Sequence, residues 1–167
     1  MKEQQYKQMS EYFGKTKQRS TTVKALHDIL PVIMMVFYPV QLIYLFVTTG
    51  FNNEVFLKAT FVPLFVLIFV TVLRYIVNAK RPYEVYDYAP VVSKKTKGKS
   101  FPSRHTASAF IIAMAFLYIQ TSLGVIMLCL ATVIAITRVL SGVHFVRDVI
   151  GGALISILIG TVCFFLI

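Results

Sequence analysis

The fold is decided by residues 106–137, TASAFIIAMAFLYIQTSLGVIMLCLATVIAIT, a stretch of 32 residues without a charged side chain. A helix needs about 20 apolar residues to cross a bilayer, so the stretch is too long for one straight span and short for two. We divide it at residues 120–124, where polar and small residues interrupt the apolar run. The stretch therefore predicts a tight hairpin of two membrane helices.

Three further apolar runs, residues 29–50, 55–78 and 149–167, are long enough to cross a membrane. Pro31 and Pro39 lie in the first run and are expected to bend it. The composition agrees, because 57% of the residues are hydrophobic and only 14% are charged, against about 25% charged in soluble domains. We therefore predict an all-α fold, an integral-membrane bundle of about five transmembrane helices plus an N-terminal amphipathic helix.

Residues 1–28 are polar and basic. Tyr6, Met9 and Phe13 recur at helical spacing, which favours an amphipathic helix on the membrane surface, although a solvated, frayed tail would also fit. The apolar run that follows has no small-residue cleavage site after it, so we expect an anchor and not a removed signal peptide. The chain divides into an interfacial segment, residues 1–28, and a membrane-embedded domain, residues 29–167.

The charge is strongly asymmetric across the predicted bundle. Five spans place residues 1–28, 79–103 and 138–148 on one face, and that face carries 16 of the 17 lysines and arginines, all except Lys58. Part of this charge is a basic cluster at residues 94–99. Because the cytoplasmic loops of membrane proteins carry an excess of lysine and arginine, this face is predicted to be cytoplasmic.

The net charge of +10 points to anionic membrane lipids and phosphates as partners. No Arg/Lys-rich element has the pattern of a major-groove reader, so we expect no nucleic-acid partner. Cys129 and Cys163 lie in apolar runs and are predicted to be buried, unpaired thiols. Since no cysteine or histidine cluster has zinc spacing, no metal site is predicted.

Ionisable residues at membrane depth are costly and usually functional. A first group holds Arg74 and, seven residues later, Arg81 followed by Pro82. Seven residues make about two helical turns, so both guanidinium groups are expected on one helix face. Each guanidinium could bind two oxygens of one phosphate through two parallel N–H groups. Taken alone, the two are more simply explained as arginines at the end of a span whose side chains extend to the lipid headgroups.

A second group is the segment FPSRHT at residues 101–106, just before an apolar helix. Ser103 is expected to cap that helix, and its first free backbone N–H groups could bind phosphate. His105 in the first turn could reach the same substrate. The alternative is a capped helix with an interfacial histidine.

A third group is Arg138, His144 and Asp148. A histidine and an aspartate at i and i+4 share a helix face, so the carboxylate could orient one ring nitrogen and leave the other free. That arrangement fits a nucleophile or a general base. On its own, it could be a local His–Asp pair with a solvated arginine.

Together, the three groups resemble the signature of the type-2 phosphatidic acid phosphatases, the lipid phosphate phosphatases related to vanadium haloperoxidases. That signature reads Lys-x6-Arg-Pro, Pro-Ser-Gly-His and Ser-Arg-x5-His-x3-Asp, and the resemblance covers roughly residues 55–160. Three positions depart from it, with Arg74 in place of Lys, Arg104 in place of Gly and Thr137 in place of Ser. The family commonly has six membrane helices, one more than we find. The matching stretches are Arg74-x6-Arg81-Pro82, Pro102-Ser103-Arg104-His105 and Thr137-Arg138-x5-His144-x3-Asp148.

The resemblance implies a catalytic set. His144 would attack phosphorus, Asp148 would hold its ring, and His105 would act first as general acid and then as base. No cofactor or metal would be needed. The phosphate would be bound by five residues: Arg74, Arg81, Ser103, Arg104 and Arg138.

The resemblance also implies the substrate, a phosphomonoester or diphosphate of a lipid. Phosphatidic acid, phosphatidylglycerol phosphate and undecaprenyl diphosphate are the candidates. Two alternatives stay open. One is a non-catalytic membrane transport or assembly protein that binds anionic lipid headgroups, and the other is the same fold acting on a soluble phosphate.

Overall fold

The computed structural model describes residues 1–94 and 96–167, so Lys95 of the predicted basic cluster lies outside the described residues. Within those ranges the regular elements are all helical, which confirms the predicted all-α class. The last helix continues as a π-helical turn, Val162–Leu166. The helices are α1 (Glu3–Gly14), α2 (Lys17–Thr49), α3 (Glu54–Val77), α4 (Pro82–Val85), α5 (Arg104–Ile119), α6 (Thr121–Leu140) and α7 (Val146–Thr161).

Four helices are long and apolar enough to cross a membrane: α2, α3, α6 and α7 with its extension. The fifth predicted span, α5, has only 16 residues. It lies at the centre of the bundle, where it contacts α2, α3, α6 and α7. Protein therefore covers most of α5, whereas the longer helices keep broad apolar surfaces for lipid. The multi-pass membrane architecture is confirmed.

The predicted hairpin forms where the polar residues interrupt the apolar stretch. Helix α5 ends at Ile119 and α6 begins at Thr121. The two helices approach closely at Gly124, where an added Cβ would lie 2.4 Å from the Leu117 backbone. Small residues allow membrane helices this contact, so a larger side chain at Gly124 would push the hairpin open.

The N-terminal segment forms the predicted amphipathic helix, α1, and not a frayed tail. Its Tyr6 ring is fully buried and packs 5.7–6.0 Å from the ring centroids of Tyr86, Tyr88 and Phe145. At Tyr6 the helix thus docks on protein. The division of the chain at residue 28 stays a prediction, and α2 crosses that residue without a break.

The outer surface of the spanning helices is as apolar as the interior. Large side chains such as Ile43, Phe65 and Leu158 are more than half exposed, which a soluble protein rarely tolerates over so wide an area. Both cysteines are free, as predicted, but the expectation of burial was wrong because Cys129 is exposed and Cys163 partly so. In a membrane protein an apolar residue can face lipid as readily as the core.

Candidate active site

A cavity of about 430 Å³ opens at the polar edge of the bundle and collects residues from all three sequence groups. Arg74 and Arg81 come from the first group, Arg104 and His105 from the second, and His144 from the third. The loop before α5 contributes three more cations. These are Lys94, Lys97 and Lys99.

His144 lies in the turn between α6 and α7, and only 3% of it is exposed. Its Nδ1 is 3.4 Å from the Asp148 carboxylate, so the predicted contact is present. The predicted reason was wrong, since His144 precedes α7 and the two residues do not share a helix face. The turn itself folds the ring back over the first turn of α7.

Asp148 is completely buried in the first turn of α7. Its Oδ2 accepts a hydrogen bond from the backbone N–H of Phe145 at 2.9 Å and a second one from the hydroxyl of Ser100. The Ser100 oxygen also lies 3.4 Å from Nδ1 of His144. Ser100 is thus a buried third member of the hydrogen-bonded group that contains His144 and Asp148. The sequence did not single it out, because a lone serine in a polar loop carries no recognisable pattern.

The electrostatics keep the His144 imidazole neutral. Burial lowers the pKa of His144 to about 4, the hydrogen bond to Asp148 opposes this shift, and the positive charge of Arg81 adds to it. At neutral pH the ring therefore carries one proton. Because Nδ1 faces the Asp148 carboxylate, we assign the ring proton to Nδ1. The lone pair of Nε2 is then free to face the cavity.

Arg74 and Arg81 both reach the cavity, but not from one helix face as predicted. Helix α3 ends at Val77, and Asn78 adopts a left-handed conformation with φ 41°, so Arg81 lies beyond the helix. Arg74 donates to the Pro102 carbonyl at 2.8 Å. Arg81 donates to the carbonyls of two loops, Gly98 at 3.1 Å and Val143 at 3.3 Å, which fixes its guanidinium plane.

Ser103 occupies the N-cap position of α5, but the predicted side-chain cap is absent. Its hydroxyl accepts from Thr106 at 3.1 Å, and its N–H donates to the Asp148 carbonyl at 2.8 Å. The segment packs so tightly against α7 that a Cβ on Gly152 would lie 2.7 Å from the Ser103 carbonyl oxygen. Ser103 is buried and does not line the cavity, so its side chain holds the loop in place.

Arg138 also lies off the cavity wall. Only 2% of Arg138 is exposed, and its guanidinium contacts His27 of α2. Of the five predicted phosphate-binding residues, three line the cavity: Arg74, Arg81 and Arg104. His27 was not singled out from the sequence, because a single histidine near the start of an apolar helix is uninformative without knowing which helix it meets.

The sequence matches the family described as the PAP2 superfamily over residues 55–167, more than half of the chain. The chain belongs to the PAP2 superfamily. The predicted family is confirmed, and the match contains all three sequence groups that line or support the cavity.

Solved structures show that this PAP2 chain shares its whole fold with other proteins. Aquifex aeolicus LpxE superposes with a TM-score of 0.68 at 24% identity, covering 96% of this chain and 92% of that one. The first transmembrane PAP2 type phosphatidylglycerolphosphate phosphatase from Bacillus subtilis gives a TM-score of 0.67 at 20% identity, covering 96% of this chain and 83% of that one. The N-terminal helices outside the family match are therefore part of a shared architecture.

A curated relative is similar in sequence over a shorter part. The bacitracin transport permease protein BcrC of Bacillus licheniformis is 35% identical over 79 residues. The match covers 46% of this PAP2 chain and 39% of the relative, so the chain spans less than half of the relative's length.

Proposed function

We propose that this PAP2 chain removes a phosphate group from a membrane lipid, a phosphomonoester or a diphosphate, through a phosphohistidine formed on His144. The observation that carries the proposal is a buried imidazole backed by Asp148 at the wall of a cavity lined by cations. A nucleophile held by a general-base partner is the arrangement that covalent phosphoryl transfer needs.

The reaction has two steps. In the first, His105 takes up a proton as the anionic phosphate binds beside it. Nε2 of His144 then attacks phosphorus in line while the bond to the departing oxygen breaks, and His105 gives that proton to the departing oxygen. Asp148 holds the Nδ1 proton as the ring becomes positive. In the second, His105 takes a proton from water, the hydroxide attacks the phosphohistidine, and inorganic phosphate leaves with His144 restored.

His105 suits this role because it borders the same cavity as His144. Its ring has no hydrogen bond to any residue in the described ranges, 1–94 and 96–167, so both nitrogens are available. It stands at the start of α5, at the junction of the cavity with an apolar cleft. A proton donor at that junction lies where the bond between phosphate and lipid would break.

In the proposed reaction, lysine and arginine side chains stabilise the phosphate charge in place of a metal ion. The described lining of the cavity holds six lysines and arginines and no carboxylate. A divalent ion would need oxygen ligands, whereas arginine forks bind phosphate oxygens directly. We therefore expect turnover in the presence of a chelator.

Two apolar clefts next to the cavity support a substrate with an apolar part. A cleft of about 230 Å³ shares Arg104 and His105 with the cavity and runs between α2 and α5, past Pro31 and Met34. A second cleft of about 270 Å³ shares several side chains with the first and continues toward Tyr38 and other residues of α2 and α3. A path that begins at the general acid and ends between membrane helices supports a lipid over a soluble phosphate.

The test uses the purified chain in detergent, with phosphatidic acid, phosphatidylglycerol phosphate, undecaprenyl diphosphate and a soluble sugar phosphate as substrates. Phosphate release is measured with a chelator present. We expect release from at least one lipid and none from His144→Ala. His144→Gln is the matched control for folding, since it keeps the side-chain volume and hydrogen bonding but no nucleophilic nitrogen. Undiminished release by either variant would disprove the nucleophile.

A second readout separates enzyme from transport or assembly protein. Wild-type chain quenched in alkali after exposure to radiolabelled lipid phosphate should carry acid-labile label at His144. A protein that only binds headgroups would take up no covalent label. We also infer from the charge bias that the cavity faces the cytoplasm, which labelling of a single cysteine in the 79–103 loop of intact cells would test.

A further inference from the structure

Arg138 is the one arginine of the three sequence groups that is turned away from the cavity wall. Its Nη1 lies 2.6 Å from Nε2 of His27, and its Nη2 donates to the His27 backbone carbonyl at 2.8 Å. Both residues are 2% exposed. No carboxylate of the described residues lies within 4 Å of the Arg138 guanidinium, so the contact with α2 is what holds this arginine.

The donors and acceptors around His27 have a single consistent order. Nη1 of Arg138 lies closer to Nε2 of His27, at 2.6 Å, than to Nδ1, at 3.4 Å. Since an arginine is always a donor, we assign the acceptor to Nε2 and the ring proton to Nδ1. That proton points to the Ser141 hydroxyl, whose oxygen lies 3.1 Å from Nδ1. Ser141 in turn donates to the backbone carbonyl of Arg138 at 3.1 Å. The hydrogen bonds close a ring that ties α2 to the end of α6.

The ring leaves Arg138 partly unsatisfied. A guanidinium has five N–H groups, and Nε of Arg138 is buried without a partner. A buried cation without a counter-ion is costly. A neutral imidazole fixes the direction of the guanidinium without cancelling its charge, whereas a carboxylate in the place of His27 would neutralise it. Asp28, the next residue on α2, attracts Arg138 electrostatically but does not lie within 4 Å of its guanidinium. The free donors of Arg138 therefore contact no anion of the described part of the chain.

The cavity is within electrostatic reach of Arg138. Burial, followed by the positive charges of Arg138 and Arg81, lowers the pKa of Lys94, and Lys94 lines the cavity. Arg138 also precedes the turn that carries His144. Ser141, which closes the ring of hydrogen bonds with His27 and Arg138, begins that turn. A phosphate bound in front of His144 would therefore attract the free donors of Arg138.

We propose that His27 is a positioning residue for phosphoryl transfer, which orients the Arg138 guanidinium so that its remaining donors stabilise the transferring phosphate. The proposal rests on the proposed function, because it assigns the anion to the phosphate of that reaction. It also gives α2, which lies outside the family match, a direct part in the active site.

A double-mutant cycle tests the assignment. His27→Ala is expected to lower kcat/KM by about 10- to 100-fold, as for a lost hydrogen bond to a charged group, with the loss mainly in kcat. His27→Gln keeps an acceptor near Nε2 and should recover to within about threefold of wild type. In an Arg138→Ala background, His27→Ala should cost nothing further, because residues that act through one group are not additive.

Val23→Ala is the matched control, since Val23 is buried on the same helix and has no hydrogen bond to Arg138. It should lower the thermal midpoint without the loss in kcat. A full effect of His27→Ala in the Arg138→Ala background, or wild-type kinetics in His27→Ala, would overturn the assignment.

A binding measurement separates this inference from the proposed function. Orthovanadate binding, measured by calorimetry, should weaken in His27→Ala and show the same coupling to Arg138→Ala. If vanadate binding were coupled in this way but no lipid phosphate were hydrolysed, the proposed function would fail and the positioning role would stand. If lipids were hydrolysed without any coupling, His27 would be a structural residue only.

Discussion

The two sides of the His144 imidazole differ in their burial and in the charge that surrounds the ring. Behind the ring, Asp148 and Ser100 are fully buried, and Oδ2 of Asp148 accepts from the Ser100 hydroxyl and the Phe145 N–H. The other carboxylate oxygen, Oδ1, has no hydrogen-bond partner among the described residues and lies 3.7 Å from Nε of Arg147. In front, the cavity is lined by cations that no carboxylate of the described residues neutralises.

The difference separates what holds the nucleophile from what meets the substrate. Polar groups behind the ring have no access to water, so Oδ2 of Asp148 takes its hydrogen bonds from Ser100 and the Phe145 backbone. Cations in front can remain unpaired because water, and then phosphate, solvates them. Substitutions behind the ring should therefore affect folding and turnover together, whereas substitution of an exposed cation in front, such as Arg104, should affect turnover alone.

The largest effect is expected behind the ring. Asp148→Asn keeps the volume but removes the charge that supports the Nδ1 proton, so kcat should fall by about 10³-fold, within the range for acid–base partners. The thermal midpoint should fall as well, because an amide cannot accept all the bonds made to Oδ2. Steady-state kinetics and thermal unfolding in detergent measure the two. A variant with normal kcat would show that Asp148 does not orient the ring.

A smaller effect is expected in front. Arg104 is exposed and makes no hydrogen bond within the described ranges, yet it borders both the cavity and the apolar cleft. Arg104→Ala should lower kcat/KM by about tenfold through the loss of one phosphate contact, while stability stays within about 0.5 kcal/mol of wild type. Arg104→Gly, the residue of the family signature, serves as the control for side-chain size. A large drop in the thermal midpoint would show that Arg104 supports the fold as well as binding phosphate.

Ser100→Ala should have a milder effect on turnover than either. Asp148 would keep its bond from the Phe145 backbone and its contact with His144, so we expect kcat to fall by about threefold, as for one neutral hydrogen bond. Stability should also fall, which distinguishes this position from Arg104. Equal stability of Ser100→Ala and wild type would mean that the hydrogen bond from Ser100 to Asp148 does not contribute to folding.

A fourth effect, which leaves turnover at neutral pH aside, is expected in the pH dependence of stability. Folding lowers the pKa of His144 to about 4, below the value of about 6.5 for an exposed histidine. Between these two pH values the unfolded chain binds a proton that the folded chain does not, so stability falls as the pH drops from 6.5 to 4 and is unaffected above 6.5. Thermal midpoints over that range should fall less steeply in His144→Gln than in wild type. Parallel curves would show that His144 is not buried as a neutral ring.

The sequence alone determined the membrane class, the helical hairpin over residues 106–137 and the three groups of ionisable residues. These follow from local properties: the length of an apolar run, the interruption at Gln120, and short spacings such as that between His144 and Asp148. Local reasoning failed where the chain stops being regular. Arg81 lies past the end of α3 and His144 lies before the start of α7, so a helical repeat could not place either side chain.

Only the tertiary structure decided the supporting contacts. Ser100 meets Asp148 from 48 residues away and His27 meets Arg138 from 111 residues away, and neither serine nor histidine carries a local signal of its partner. Whether a polar residue in an apolar chain faces lipid, a cavity or another buried group depends on which helices pack together. That packing is set by the summed contacts of the whole bundle, and so it cannot be read from any one stretch of sequence.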